Sequence, residues 1–169
     1  MHFDSSICYT SFDSALGRIR VAATDQGLAG IWFDGQRHQP DHGSWSEQPE
    51  HTLLRSVVQR LQRYLACKRE DGELARDLPL DLRGGTAFQQ AVWQALLAIG
   101  YGHSSSYGTI AAQLGRPRAV RAVGGAVGRN PIAIIVPCHR VLPSGGGVGQ
   151  FGGGVRAKEW LLRREGRLD

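Results

Sequence analysis

The chain has little sulfur: three cysteines and one methionine in 169 residues. Cys8, Cys67 and Cys138 are odd in number and far apart, and no Cys-x-x-Cys pair occurs, so neither a disulfide framework nor a four-thiolate zinc site is indicated. Reduced thiols in a reducing compartment are expected. No run of about 18 apolar residues is present to span a bilayer as a helix. The first residues, Met1-His2-Phe3-Asp4, lack the basic-then-apolar layout of a secretory signal, so a cytoplasmic location is the expectation. Acidic residues are scarce in the second half. From Thr86 onward three Asp/Glu stand against ten Lys/Arg, whereas the preceding residues hold twelve against ten. The net charge of +5 is therefore local. A solvated Arg-rich face would account for it, and so would a polyanion on the C-terminal half, nucleic acid being the commonest.

With 41% hydrophobic residues the chain can bury a core, and its length suits one or two small domains. The first third alternates as short strands do, at Ile7–Thr10, Gly17–Ala23 and Leu28–Phe33, with Asp/Ser and Asp-Gln-Gly turns between them. An antiparallel meander is predicted. Gln36–Pro49, rich in His, Pro, Gly and Asp, reads as a loop; His38 and His42 fall in it, and Pro40 between them argues against a shared helical face for a metal. Leu54, Val57, Val58, Leu61, Tyr64 and Leu65 predict an amphipathic helix over Glu50–Cys67. Leu78–Leu82 is a candidate further strand. Asp71-Gly72 and Arg83-Gly84-Gly85 mark loops, the second a boundary between units 1–83 and 84–169.

From Thr86 the period is helical. Phe88, Val92, Trp93, Leu96 and Leu97 form one stripe ending near Gly100. A second helix starts after Ser106, carries Ile110, Ala111 and Leu114, and stops at Gly115; Pro117 suits the first turn of a third. The third directs Ala119, Val120, Ala122, Val123, Ala126 and Val127 inward and leaves Arg118, Arg121, Gly125 and Arg129 outside. Two short helices around a Gly-containing turn are a helix-turn-helix, a motif shared by DNA-binding proteins and ordinary helical cores. A last helix spans about Val155 to Glu165, with Trp160 and Leu161 as core contacts. The predicted fold is α/β: a small antiparallel sheet with a helix, then a mainly helical, winged helix-turn-helix-like unit.

Between the third and last helices lies Asn130-Pro131, an apolar run Ile132–Val136, and Pro137-Cys138-His139-Arg140-Val141. A thiolate is a strong nucleophile, but a free cysteine is mostly protonated at neutral pH and needs a base or a cation nearby. His139 and Arg140 are candidates. In an extended segment adjacent side chains point to opposite faces, so a direct Cys138–His139 contact requires a turn or a bridging water. An inert buried thiol beside a structural histidine is the alternative.

These residues resemble the O6-alkylguanine-DNA alkyltransferase family. The resemblance runs from Phe88-Gln89-Gln90-Ala91-Val92-Trp93 through Ser106-Tyr107-Gly108, Arg121-Ala122-Val123-Gly124-Gly125-Ala126, Asn130-Pro131 and Ile135–Val141 to Gly153-Gly154 and Lys158–Gly166, covering the C-terminal half. The N-terminal third is similar in layout only, and there a ribonuclease H-like domain is implied. The resemblance implies that Cys138 takes the alkyl group from O6 of guanine in duplex DNA once per molecule, and from O4 of thymine less efficiently. It further implies that His139 acts as base through water, that Glu165 orients His139, and that Tyr107 donates to the leaving base. Arg121 would fill the place of the extruded nucleotide. Gly124, Gly125 and Ala126 would let the helix approach the sugar-phosphate backbone, with Arg118 and Arg129 beside it, entering by the minor groove. Asn130 would tie that helix to the cysteine segment, and Val141, Phe151, Gly152 and Arg140 would line the base pocket.

Two departures stand out. Phe151-Gly152 replaces the tyrosine and small, often hydroxylated residue common in the family, leaving a ring and a backbone donor. For the structural zinc of some relatives no convincing ligand set is found, with Cys8, His2 and His51 the residues to check; no metal or cofactor is expected. The implied partner is double-stranded DNA, with no membrane, and the implied state a monomer. A non-catalytic lesion binder and a helix-turn-helix regulator are the rivals. Such binders replace the cysteine, and no effector or dimer surface is evident for a regulator.

Overall fold

The computed structural model describes residues 6–66 and 74–169. His2, Cys67, Asp71 and Gly72 lie outside the described residues. Three strands, β1 (Cys8–Ser14), β2 (Gly17–Thr24) and β3 (Gly27–Phe33), form the predicted antiparallel meander. A fourth, β4 (Ser46–Glu47), pairs parallel to β1, so the sheet is mixed with order β3-β2-β1-β4. The parallel strand is an addition to the predicted meander, which is itself antiparallel throughout. The loop after β3 carries the chain across the sheet, where Ser46 and Gln48 N–H groups donate to the Ile7 and Tyr9 carbonyls (3.0 and 2.8 Å) and cover the β1 edge. A two-residue strand has no period to betray it.

Helix α1 (Thr52–Ala66) lays Leu54, Val57, Leu61, Tyr64 and Leu65 against this sheet, where Ile19, Val21, Ala23 and Ile31 are fully buried. All seven residues of β3 are buried because its outer edge is also occupied. Leu78–Leu82 contributes only a parallel bridge, Leu80 to Leu28, since Pro79 has no N–H with which to extend a ladder. Further along the same edge the Ile31 N–H donates to the Pro131 carbonyl (2.8 Å) and the Ala133 N–H to the Ile31 carbonyl (3.2 Å). The segment leading to Cys138 is thereby seated on the N-terminal sheet.

The second half holds α2 (Ala87–Leu97), α3 (Tyr107–Gln113), α4 (Val120–Gly128) and α5 (Val155–Arg164), with β5 (Ser105–Ser106) paired parallel to β6 (Val141–Leu142). Thr86 and Gln89 form a capping box at the start of α2. Trp93 is buried and its indole N–H donates to the Ala126 carbonyl (2.9 Å), locking α2 to α4. Gly115, at φ +68°, ends α3: its N–H reaches Ala112 and that of Arg116 reaches Ala111, the Schellman pattern that a left-handed residue allows.

Helix α4 starts later than predicted. Pro117 stands in a turn closed by Ala119 N–H to Arg116 C=O (2.8 Å), ahead of the helix. Val120 and Ala122, expected inward, are exposed, because only the Val123, Ala126, Val127 stripe lies against the core and the first turn projects beyond it. Phe88, Leu97 and Trp160 are half-buried at the rim, Trp160 beneath the Arg164 guanidinium (5.2 Å to the ring centroid). The cysteine segment is not extended: Cys138–Arg140 is a short 3-10 helix.

A polar tie stabilises the junction after α1. Buried Asp81 accepts hydrogen bonds from Thr24 Oγ1 (2.6 Å) and from Arg83 Nε and Nη2 (both 2.8 Å). The Arg83 guanidinium holds the Asp81 pKa down at about 2, against burial, which raises it. Because the folded value is depressed, this stabilisation is complete above the ordinary 3.8 and is lost as pH falls toward about 2. Asp81→Asn is expected to lower stability by about 1–3 kcal/mol at neutral pH. In urea titrations its deficit relative to the unsubstituted protein should shrink on acidification through that window.

Candidate active site

The cysteine segment is an irregular stretch buried from Asn130 through Val141. Buried backbone outside regular structure needs partners. Ile31 supplies some and the Asn130 side chain supplies others. Asn130 Nδ2 donates to the Val136 carbonyl (2.8 Å) and to Cys138 Sγ (3.0 Å), while its Oδ1 accepts from the Ile132 N–H (3.0 Å). One amide thus pins the end of α4 to both arms of the loop. Ile134 sits at φ +71°, a conformation costing a β-branched residue about 1–3 kcal/mol, held by these surrounding bonds.

The 3-10 turn separates the functions of adjacent residues. Cys138 faces a cleft of about 280 Å³, and His139 turns into the interior, fully buried. His139 Nε2 lies 3.0 Å from Glu165 Oε1, and its Nδ1 has no protein partner. Glu165 is the residue that ends α5, and Gly166 at φ +70° completes a second Schellman turn behind it, with Gly166 N–H on Arg163 and Arg167 N–H on Leu162. The Glu165 carboxylate also accepts Arg140 Nε at Oε2 (2.8 Å), Arg140 Nη2 at Oε1 (2.9 Å) and the Tyr64 hydroxyl at Oε1 (2.6 Å).

The charges follow from these contacts. Burial pushes the Glu165 carboxyl up, but the hydrogen bonds from His139 and Arg140 outweigh it and hold the pKa at about 2. Burial pushes His139 below its usual value despite Glu165, so the ring is neutral and donates through Nε2. Burial raises the Cys138 thiol, opposed by the Asn130 hydrogen bond and by the Lys158 charge. Cys138 at rest is a thiol. Lys158 is fully buried, its ammonium donating to the Val141 carbonyl (2.7 Å) and the Gln150 carbonyl (3.3 Å); burial lowers its pKa to about 8 while the Cys138 charge works the other way.

The cleft gathers seven of the fifteen expected residues. Tyr107, Gly124, Gly125, Arg129, Cys138, Phe151 and Gly152 line it. Burial, and the Cys138 charge once that thiol is ionised, raise the Tyr107 pKa and keep the phenol neutral; its ring lies against Gly124. Phe151 meets the rings of Phe33 (5.7 Å) and His139 (6.4 Å) edge to face. Arg121 is exposed on the first turn of α4, and Arg118 is exposed in a separate shallow concavity with Arg116 and Pro117.

Three expected residues are placed otherwise. Arg140 does not line the cleft; it is buried as the ion-pair partner of Glu165, with Nη1 also on the Ile99 carbonyl. Val141 stands behind the cleft, its carbonyl held by Lys158. Ala126 is buried against α2 and so offers no surface.

Sequence reasoning missed Arg37 and His38, which close the cleft from the N-terminal loop, and left out Lys158 and the hydroxyl of Tyr64. Gln36 anchors that loop by accepting the Phe33 N–H (2.9 Å), and its side chain covers Gly152, where a Cβ would stand 3.2 Å from Nε2. For a metal, Cys8 is half-buried and donates to the Ala23 carbonyl, and among the described residues no three His, Cys, Asp or Glu side chains gather to hold an ion.

Comparison with known proteins covers nearly the whole chain. The ribonuclease-like domain of 6-O-methylguanine DNA methyltransferase matches residues 7–82, and the DNA-binding domain of that family matches residues 87–167. The chain is 40% identical over 161 residues to the methylated-DNA–protein-cysteine methyltransferase of Haemophilus influenzae, covering 95% of this chain and 87% of that one. To the Mycobacterium tuberculosis protein of the same name it is 44% identical over 160 residues, covering 94% and 92%. The crystal structure of Mycobacterium tuberculosis OGT in complex with DNA superposes with a TM-score of 0.82 at 40% identity, covering 95% and 94% of the two chains. With the buried Cys138–His139–Glu165 arrangement in place and both halves matched, this chain belongs to the 6-O-methylguanine DNA methyltransferase family.

Proposed function

We propose that this chain repairs O6-alkylguanine in double-stranded DNA by moving the alkyl group onto its own Cys138, once per molecule, with O4-alkylthymine a slower substrate. The observation that carries this reading is a thiol at a cleft with a neutral buried histidine behind it, whose Nε2 is committed to a carboxylate and whose Nδ1 has no protein partner. His139 Nδ1 takes the Cys138 proton through a bridging water, and the imidazolium formed is stabilised by Glu165. The Asn130 amide and the Lys158 ammonium favour the thiolate. Sulfur attacks the O-alkyl carbon, the S–C bond forms as the C–O bond breaks, and the electron pair goes to the purine. Tyr107, a neutral phenol on the cleft wall, donates to the base as that charge develops. A thioether is a poor leaving group, so the protein is consumed.

The target atom is inaccessible in a stacked duplex and the nucleotide must rotate out. Arg121, exposed on α4 beside Val120 and Ala122, is proposed to fill the gap, with Arg118 and Arg129 on the phosphates and Gly124 and Gly125 permitting close approach. Phe151 walls the alkyl pocket and Gly152 offers its backbone N–H. In this reading residues 84–169 form the DNA-binding and alkyl-transfer domain, residues 1–83 support it, and the protein acts as a monomer. No helix among the described residues is long and apolar enough to cross a membrane. A nucleophilic thiol requires reducing surroundings, so the cytoplasm is its proposed location.

Duplex DNA carrying an isotopically labelled O6-methyl group should transfer label to the protein up to a 1:1 ratio. Cys138→Ser should abolish transfer and retain DNA binding; binding without transfer by the unsubstituted protein would refute the proposal. Arg121→Ala should slow duplex repair by about tenfold or more while leaving reaction with free O6-benzylguanine nearly unchanged, since only the duplex needs base extrusion. Equal losses on both substrates would remove Arg121 from that role.

A further inference from the structure

Glu165 Oε1 is crowded. It lies within hydrogen-bond distance of three donors, His139 Nε2 (3.0 Å), Arg140 Nη2 (2.9 Å) and the Tyr64 hydroxyl (2.6 Å), and the shortest of the three comes from the other half of the chain. A carboxylate oxygen has two lone pairs, so donors at one oxygen compete for its charge. Tyr64 stands in the last turn of α1 and is 1% exposed. Its ring has the Arg164 guanidinium over it (5.6 Å to the centroid) and the Tyr101 ring edge-on (6.4 Å), and Arg164 Nε donates to the Tyr64 backbone carbonyl. Packing alone needs no hydroxyl at this place. A phenylalanine would fill the stripe equally well, yet the phenol oxygen points at the one carboxylate that faces the base.

We infer that Tyr64 is a positioning residue of the transfer site: its hydroxyl fixes the Glu165 carboxylate and draws off part of the charge His139 would otherwise feel, so that the N-terminal domain limits how basic His139 becomes. This rests on the repair function proposed above. Burial and the Glu165 charge both raise the Tyr64 pKa, so the phenol is a neutral donor at every working pH. The other charged or titratable groups facing this cluster are Arg140, Lys158 and Cys138 around His139, and Tyr101 and Arg164 around Tyr64. None of them donates to Glu165 in place of the Tyr64 hydroxyl: Arg140 already binds both Glu165 oxygens, Arg164 Nε holds the Tyr64 carbonyl while its Nη2 is buried without a partner, the Tyr101 hydroxyl donates to the Arg164 carbonyl (3.0 Å), Lys158 is held by the Val141 and Gln150 carbonyls, and Cys138 faces the cleft.

The sign of the effect follows. Removing the Tyr64 donor returns charge to Oε1, the imidazolium of His139 gains, and the base becomes protonated at higher pH. Since neutral His139 is the working form, the acid limb of the rate profile must move upward. The test measures single-turnover alkyl transfer to Cys138 in the full-length protein at saturating O6-methylguanine duplex, across the acid and neutral range. Tyr64→Phe should shift the acid limb upward by about half a pH unit, about threefold in proton affinity, the size of one modest hydrogen bond. A limb that stays in place, even with lower thermal stability or a uniformly lower rate, would overturn the inference, because a purely structural role predicts that outcome. Should Tyr64→Phe fail to fold, 3-fluorotyrosine at position 64 keeps the shape and is a stronger donor; its limb should move downward, and no movement again overturns the inference. Absence of transfer by the unsubstituted protein would instead count against the repair function itself.

Discussion

The site depends on one buried carboxylate. Glu165 is removed from water at the end of α5, where an isolated charge would be costly, and it is kept ionised by the Arg140 fork, the His139 ring and the Tyr64 hydroxyl. These partners come from α1, which supplies Tyr64, and from the 3-10 turn, which supplies His139 and Arg140, while Glu165 itself ends α5. Satisfying one charge therefore fixes three elements relative to one another. The same contacts that stabilise the fold decide which nitrogen of His139 is available, so structure and reactivity cannot be tuned independently here. Removing any one partner would leave a buried charge uncompensated, which is costly, so the cluster is held in a single arrangement. That is what the proposed proton relay requires.

The nucleophile is treated in the opposite way. Burial disfavours the Cys138 thiolate, and the opposing influences are an amide hydrogen bond and a cation held at the Val141 and Gln150 carbonyls. A thiol that stays protonated until its proton is collected is protected from casual oxidation and alkylation. Reactivity then belongs to the assembled site with a base in the cleft rather than to the sulfur alone.

How far the sequence revealed this follows from where each signal is stored. Periodicity is local, and the elements written in it were legible: the meander, α1, the stop of α3 at Gly115, and the final helix. The parallel strand β4 and the 3-10 turn at Cys138 have no period and were not. Charge asymmetry pointed to the C-terminal half as a whole, and the exposure of Val120 and Ala122 depended on how far α4 overhangs its neighbours. Glu165 was joined to His139 only through family resemblance, since nothing in a spacing of 26 residues shows that two side chains meet. Tyr64 read as one more residue of a core stripe, because a period records that a ring is buried and is silent about its oxygen. Arg37 and His38 were hidden in a loop without pattern, which the approach of Phe33 to Phe151 and of Gln36 to Gly152 brings to the cleft.

The edge of β3 carries a temporal meaning as well. Pro131 and Ala133 complete their backbone hydrogen bonds on Ile31, a residue synthesised about a hundred positions earlier. The reactive loop is thus templated by a sheet that emerges first from the ribosome, and a nascent or partly unfolded molecule holds its sulfur in an unshaped, unassisted strand. The reactive arrangement therefore needs the β3 edge in place.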